Sequence, residues 1–349
     1  MQPLDGIRVV EASGYISGPF AGMILADLGA SVTKVEPPKG DPYRRFGEMR
    51  GEASLPFRGV NQNKTFVRLD LGNDTEMGEF RDLLAISDVL ITNWRPHVAP
   101  KYGLTAESVR RDFPNLIWVR VSGFGQDGPR VELPAFDSIV TARSGAMLSG
   151  SDEPIGQNNT MSDKITAMTA AQTATAALVE RERSGTGAVC DVAMVDAVGY
   201  FMAADIGTGH RVVGEEPDPY PAEAFANQTT FATSDSWILL APVSGKQLRN
   251  ALRAIGREDE WENVVANGPE LVWARMSPLL AAAIVEKDTA HWDQVFAVAD
   301  VPATPVMTMA EHLGDEQIEH NELYTPVFDH GLHADWLSIR YPARDPNDS

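Results

Sequence analysis

The chain of 349 residues is 43% hydrophobic and 22% charged, an ordinary globular mixture with room for two domains. A formal net charge of −20 argues against nucleic acid or an anionic membrane as partner, and no run approaches the ~20 apolar residues that span a bilayer. One cysteine, Cys190, excludes an intrachain disulfide, and no signal peptide opens the chain, so the cytoplasm is the expected compartment.

The first half alternates strand and helix. Ile7–Ala12 reads as a strand, Gly14–Gly18 as a loop, and Pro19 suits the first turn of a helix that stops at Gly29. Ser31–Glu36 is a second strand, ended by Pro37-Pro38. Thr65–Leu71, Asp88–Thr92 and Leu116–Val121 are further strands, separated by helices over Thr75–Ile86 and from Thr105 to Asp112. A small-residue helix over Ile165–Leu178, the turn Ser184-Gly185-Thr186-Gly187 and a strand Val189–Val195 follow. Such alternation predicts an α/β fold with a mostly parallel sheet. A helix continues to about Ile206, and residues 207–224 read as a linker. Two short strands around Thr233–Ser236 and helices over 246–255, 271–285 and 291–298 form a smaller α+β domain, 225–324. The tail, 325–349, is too short for a domain and is expected to pack on the large one, 1–206.

Residues 31–64 concentrate Lys34, Lys39, Arg44, Arg45, Arg50, Arg58 and Lys64 against Glu36, Asp41, Glu48 and Glu52, a stretch suited to a small polyanion or simply a solvated surface. Gly14, Gly18 and Gly22 are evenly spaced and do not make the G-x-G-x-x-G fingerprint, so no nicotinamide or flavin is expected. They leave room for a ligand to approach the backbone. The seven histidines show no ligand spacing, so no metal is expected. Asn93-Trp94-Arg95-Pro96 follows one strand directly, with an amide, a flat ring and a guanidinium suited to an adenine and a phosphate. Ser122-Gly123-Phe124-Gly125 follows another, then Leu133-Pro134-Ala135-Phe136-Asp137. These loops should converge on one crevice.

Asp163 stands in Met161-Ser162-Asp163-Lys164, where a helix begins. A carboxylate there meets free backbone N–H groups at the positive end of the helix dipole and should stay ionised at neutral pH. It is either a helix cap or a nucleophile able to attack an acyl carbon.

The ordered set of motifs resembles the family III CoA-transferases, the CaiB/BaiF group, which includes the 2-methylacyl-CoA racemases. The likeness runs from Pro3-Leu4-Asp5-Gly6-Ile7-Arg8-Val9 to Val301-Pro302-Ala303-Thr304-Pro305-Val306. Between lie Asp27-Leu28-Gly29-Ala30, Lys34-Val35-Glu36-Pro37, Asn61-Gln62-Asn63-Lys64, Leu69-Asp70-Leu71, Asn93-Trp94-Arg95-Pro96, Ser122-Gly123-Phe124-Gly125, and the Asp163 helix with its Gly185-Thr186-Gly187 turn. The resemblance implies a Rossmann-like large domain, a small domain and an interlocked homodimer. It implies CoA or acyl-CoA as substrate together with a carboxylic acid, and Asp163 as nucleophile. CoA would lie along Tyr15, Ile16 and Ser17, the strand end Leu69, Asp70, Leu71 and Gly72, then Asn93, Trp94, Arg95 and Lys101, and the loop Leu133, Pro134, Ala135 and Phe136. Pro37 takes a place that is basic in formyl-CoA transferases, so Lys39 or Arg44 would substitute. Phe136 takes the place of the racemase histidine, which favours transfer over racemisation. Racemisation of a 2-methylacyl-CoA, and a CoA-binding subunit of a hetero-oligomer, are the alternatives. Apolar Ile16 and Phe136 point to a pocket less polar than an oxalate site.

Overall fold

The protein is described by a computed structural model that covers residues 2–148, 153–156, 159–204, 213–214, 229–266, 268 and 271–343. The chain divides into two compact units, Met1–Thr208 with Glu322–Ser349, and Gly209–Asn321. Of the linker expected at 207–224, all but Val213 and Gly214 lies outside the described residues, as do residues 225–228 of the first short strand expected after it.

The larger unit is built on six strands: β1 Arg8–Ala12, β2 Ser31–Glu36, β3 Lys64–Arg68, β4 Val89–Thr92, β5 Ile117–Ser122 and β6 Val189–Ala193. They pair in the order β3-β2-β1-β4-β5-β6, every pair parallel. The order reverses between β1 and β4, and ligands of such sheets bind outside the carboxyl ends of the strands at that switch point. Short runs rich in β-branched residues make these strands; β1, β2, β4 and β5 are mostly buried on both faces, whereas the edge strand β3 is largely exposed. Along β1 the side chains alternate: Val9 faces one core with Ala21, Leu25, Ile91 and Val119, and Val10 faces the other with Val35, Phe80, Leu84, Leu90 and Trp118.

Seven helices of this unit matter here: α1 Ser17–Asp27, α2 Leu55–Gly59, α3 Asp74–Ala85, α4 Ala106–Asp112, α5 Asp137–Arg143, α6 Met161–Ser184 and α7 Met194–Met202. The Asn73 side chain caps α3, and Thr105 and Ser108 close a reciprocal capping box on α4. In α6 the alanines Ala167, Ala170, Ala171 and Ala174 are buried, and small side chains there let α1 pack closely. The helix starts at Met161, earlier than the pattern suggested, and Thr160 before it is left-handed (φ 47°) with no side-chain cap bond. Gly185, at φ 73°, ends it. The strand expected to reach Val195 gives way to α7 at Met194.

Gly187 sits against the backbone entering β5. A Cβ there would lie 2.2 Å from the Leu116 carbonyl oxygen. Backbone cannot swing aside as a side chain can, so Gly187→Ala should destabilise the fold by about 2–3 kcal/mol, read as a lower urea midpoint at unchanged slope.

The tail forms an antiparallel hairpin, Tyr324–Asp329 with Ala334–Ile339, which was not foreseen. Arg58 holds Asp329 through its guanidinium at 2.8 Å, and Gln62 bonds the Ile339 backbone, so the hairpin packs on the larger unit.

The second unit carries a three-stranded antiparallel sheet of Thr229–Ala232, Trp237–Leu240 and Ala303–Pro305, the last an unforeseen strand. Helices over Gly245–Ala254, Val272–Ile284 and Thr289–Val298 cover a core that includes Ile238, Leu240, Leu252, Met276, Leu280 and Phe296.

Candidate active site

Loops at the carboxyl ends of β1, β4 and β5 meet the first turn of α6 around a cavity of about 790 Å³. Tyr15, Ile16 and Ser17 come from the first loop, Asn93, Trp94 and Arg95 from the second, Leu133, Ala135 and Phe136 from the third, and Asp163 from α6. A second hollow of about 310 Å³ is lined by Leu69, Asp70 and Leu71 after β3, with Pro37, Pro38 and Tyr102. Trp94 and Gly14 line both, so the two cavities adjoin. Gly72, Lys39, Lys101 and Pro134 line neither, and Lys39, Lys101 and Gly72 are exposed.

Asp163 is the third residue of α6, not its cap. Its backbone N–H donates to Asp137 Oδ1 at 3.0 Å, so the carboxylate that ends the third loop grips the helix start. The carboxyl is harder to ionise than its place at a helix start implies. Burial first and the neighbouring Asp137 charge second push the Asp163 carboxyl up to about 7, against the opposing influence of the Ser17 hydroxyl and Lys164. The favourable first-turn N–H environment is outweighed by lost hydration and a like charge. A carboxyl that titrates near neutrality in a cleft has the profile of a functional group.

Asn93 does not present a free amide. Its Oδ1 accepts from the Gly14 N–H at 3.0 Å, and its Nδ2 donates to the Gly14 carbonyl at 2.7 Å. It therefore ties the β4 end to the β1 loop. Trp94 stacks edge-on to Tyr102 at 5.5 Å, leaving a flat apolar wall to the smaller hollow.

The basic stretch is largely committed. Lys34 and Lys64 are buried against Glu11, Arg44 pairs with Glu36 at 2.8 Å and lies over Phe57, and Arg58 pairs with Asp329. Arg44 is thus engaged beneath the surface, whereas Lys39 and Arg45 are exposed.

Tyr43, Phe46, Val131 and Met194 also line the larger cavity and escaped notice in the sequence. Tyr43 and Phe46 belong to the irregular stretch after β2, where no periodicity marks them. They stack at 5.5 Å, and Tyr15 reaches from Tyr43 (6.2 Å) to Phe136 (5.8 Å). Asp163 and Asp41 add to burial in raising the Tyr43 phenol. Ser122, buried at the end of β5, lines the cavity with its hydroxyl unpartnered among the described residues.

Residues 4–344 match the model of CoA-transferase family III. The chain belongs to that family. It is a CoA-transferase, and CoA thioesters are its substrates. The chain is 30% identical to a probable fatty acyl-CoA transferase of Mycobacterium tuberculosis over 98% of its length and 92% of the relative's. It is 31% identical to the acetyl-CoA:oxalate CoA-transferase of Acetobacter aceti, covering 88% of this chain and 82% of that one. A CaiB/BaiF family protein of Brucella suis superposes with a TM-score of 0.87 at 26% identity, over 99% of this chain and 93% of that one. Among the described residues, no helix is long and apolar enough to cross a membrane, and no group of three or more His, Cys, Asp or Glu is placed to hold a metal.

Proposed function

We propose that Asp163 is the acyl carrier of a CoA-transferase that moves CoA from an acyl-CoA to a free carboxylic acid. The observation that carries this reading is a half-buried carboxyl facing the larger cavity, where three strand-end loops meet. Asp163 attacks the donor thioester, giving a mixed anhydride and CoA thiolate. The thiolate attacks the aspartyl carbonyl, releasing the donor acid and leaving an aspartyl-CoA thioester. The acceptor carboxylate attacks that thioester, and the steps reverse onto the new acid. Thioester energy is conserved, and each oxyanion needs a donor, one of which is worth ~3–4 kcal/mol.

The two adjoining cavities suit an extended ligand. The adenine fits the hollow beside Leu69, Leu71 and Trp94, the phosphates lie toward Arg95, Lys101 and Lys39, and the pantetheine runs past Gly14 toward Asp163. Racemisation requires an acid–base pair across the α carbon. Phe136 stands where the racemase branch has its histidine, and no described histidine lines the cavity. An interlocked homodimer in the cytoplasm belongs to the same reading and rests on the family resemblance.

The test is a mass-spectrometric exchange assay of the purified protein with acyl-CoA donors and a panel of acids. Incubation in deuterated water tests the alternative: α-deuteration without acyl exchange would install racemisation in its place. The panel also probes the pocket. Arg95 is the one cation among its described lining residues, against Asp137 and Asp163, and Tyr15, Tyr43, Phe46 and Phe136 supply aromatic walls. Apolar monocarboxylic acids should therefore exceed oxalate and succinate in kcat/KM by about tenfold or more, equivalent to ~1.4 kcal/mol. Equal or better use of the dicarboxylates would refute the apolar pocket.

A further inference from the structure

Four charged side chains lie buried under the β1 loop, and the chemistry above does not use them. Lys34 Nζ sits 2.8 Å from Glu11 Oε1 and 3.1 Å from Asp41 Oδ2, and Lys64 Nζ sits 2.7 Å from Glu11 Oε2. All four side chains are essentially inaccessible to solvent. Burying three linked ion pairs is a poor way to gain stability, because lost hydration rivals the Coulomb attraction. A network of this kind is better explained by the geometry it imposes.

That geometry is specific to the loop. Lys34 Nζ donates to the Ser13 carbonyl at 2.9 Å, and Ser13 Oγ donates to Glu11 at 2.5 Å. Asn93 holds both polar groups of the Gly14 backbone. The Tyr15 N–H donates to Asp41 Oδ1 at 3.2 Å. Three consecutive residues are thus each held by a side chain, those of Lys34 and Asp41 buried and that of Asn93 partly so. Tyr15 is held in the left-handed region, φ 62°, a conformation that costs a non-glycine residue energy and persists only where its surroundings impose it. The even spacing of Gly14, Gly18 and Gly22 also finds its reason here. A Cβ on them would meet Asp41 Oδ1 at 3.3 Å, Ser13 Oγ at 2.3 Å and Glu11 Oε2 at 2.9 Å. These glycines make room for Asp41, Ser13 and Glu11 in turn.

The loop so fixed forms the wall of the cavity that Asp163 faces. Ser17 lines the larger cavity together with Asp163, and the Tyr15 ring packs on Phe136, next to the Asp137 that grips the Asp163 N–H. We propose that Asp41, anchored by the buried Lys34–Glu11–Lys64 chain, is a positioning residue that sets the Tyr15–Ser17 loop against Asp163 for acyl transfer. The inference rests on the reading of Asp163 as acyl carrier.

Asp41 has a second duty. It caps the short 3-10 turn Pro42–Arg45 by accepting from the Tyr43 N–H at 2.9 Å. Asp41→Ser keeps a capping oxygen but is too short to hold the Tyr15 N–H or Lys34. Asp41→Asn keeps an oxygen for both N–H groups. The experiment compares these variants with wild type for kcat and KM of exchange and for trapping of Asp163 by hydroxylamine, with melting curves run alongside. Asp41→Ser should stay folded and lose more than tenfold in kcat with KM for acyl-CoA changed less than threefold, and Asp41→Asn should recover kcat to within about threefold of wild type. Wild-type kcat in Asp41→Ser would overturn the proposal, and so would an Asp41→Asn as impaired as the serine. An absence of hydroxylamine adduct in active wild-type enzyme would count against the acyl-aspartate itself, and the positioning role would still be decided by kcat.

Discussion

Asp163→Ala is expected to lower exchange by on the order of 10³-fold or more while CoA still binds, because a covalent carrier has no substitute once its oxygen is gone. The rest of the cavity would be intact. Trp94, Arg95 and the hollow beside Leu69 belong to other elements and do not depend on the α6 carboxyl for their placement. Calorimetric titration with CoA should therefore give a dissociation constant within a few-fold of wild type. Hydroxylamine with acyl-CoA should derivatise the Met161–Lys164 segment in wild type and leave the variant unlabelled. Exchange at the wild-type rate in Asp163→Ala would remove the covalent role altogether. Loss of CoA binding and exchange together would instead assign Asp163 to ligand binding.

The sheet was readable because each strand is a short β-branched run fenced by Gly, Pro or a cap, and the strands alternate with helices of ordinary length. Several features were not readable because their causes are distant in sequence. The charge state of Asp163 depends on Asp137, 26 positions earlier, and on burial beneath loops from three strands. The helix dipole is only the local half of that balance. The even spacing of Gly14, Gly18 and Gly22 looked like an invitation to a ligand, because what it accommodates, Glu11 and Ser13 at the end of β1 and Asp41 in an irregular segment, comes together only in the fold. Tyr43 and Phe46 follow no periodicity at all. The tail hairpin was obscured by Pro326, which edge strands tolerate, and by Gly331, whose N–H bonds Asp329 in the turn.

The second large effect is a pH dependence in which activity and stability run in opposite directions. The Asp163 carboxyl lies near 7 in the folded protein, against an ordinary value of 3.8, chiefly through burial and then through Asp137. Nucleophilic attack needs the ionised form, so kcat/KM should rise about tenfold per pH unit below 7 and level off above it. Stability carries the other sign. Between pH 4 and 7 the folded chain keeps this proton while the unfolded chain has released it, so unfolding becomes easier as pH rises through that window. The gap from 3.8 to about 7 corresponds to about 4 kcal/mol, reduced to roughly 2 kcal/mol because solvent reaches the half-buried group. Asp163→Asn removes the titration and should be more stable than wild type by roughly that amount at pH 8 and nearly equal to it at pH 4, as read from urea midpoints. Asp137→Asn should move the activity limb to lower pH, since it removes the like charge and keeps an oxygen for the Asp163 N–H. An activity limb that stays near pH 4 in wild type, with no stability gain in Asp163→Asn at pH 8, would mean that the carboxyl is hydrated and ionised throughout. The site would then owe its reactivity to something other than a desolvated aspartate.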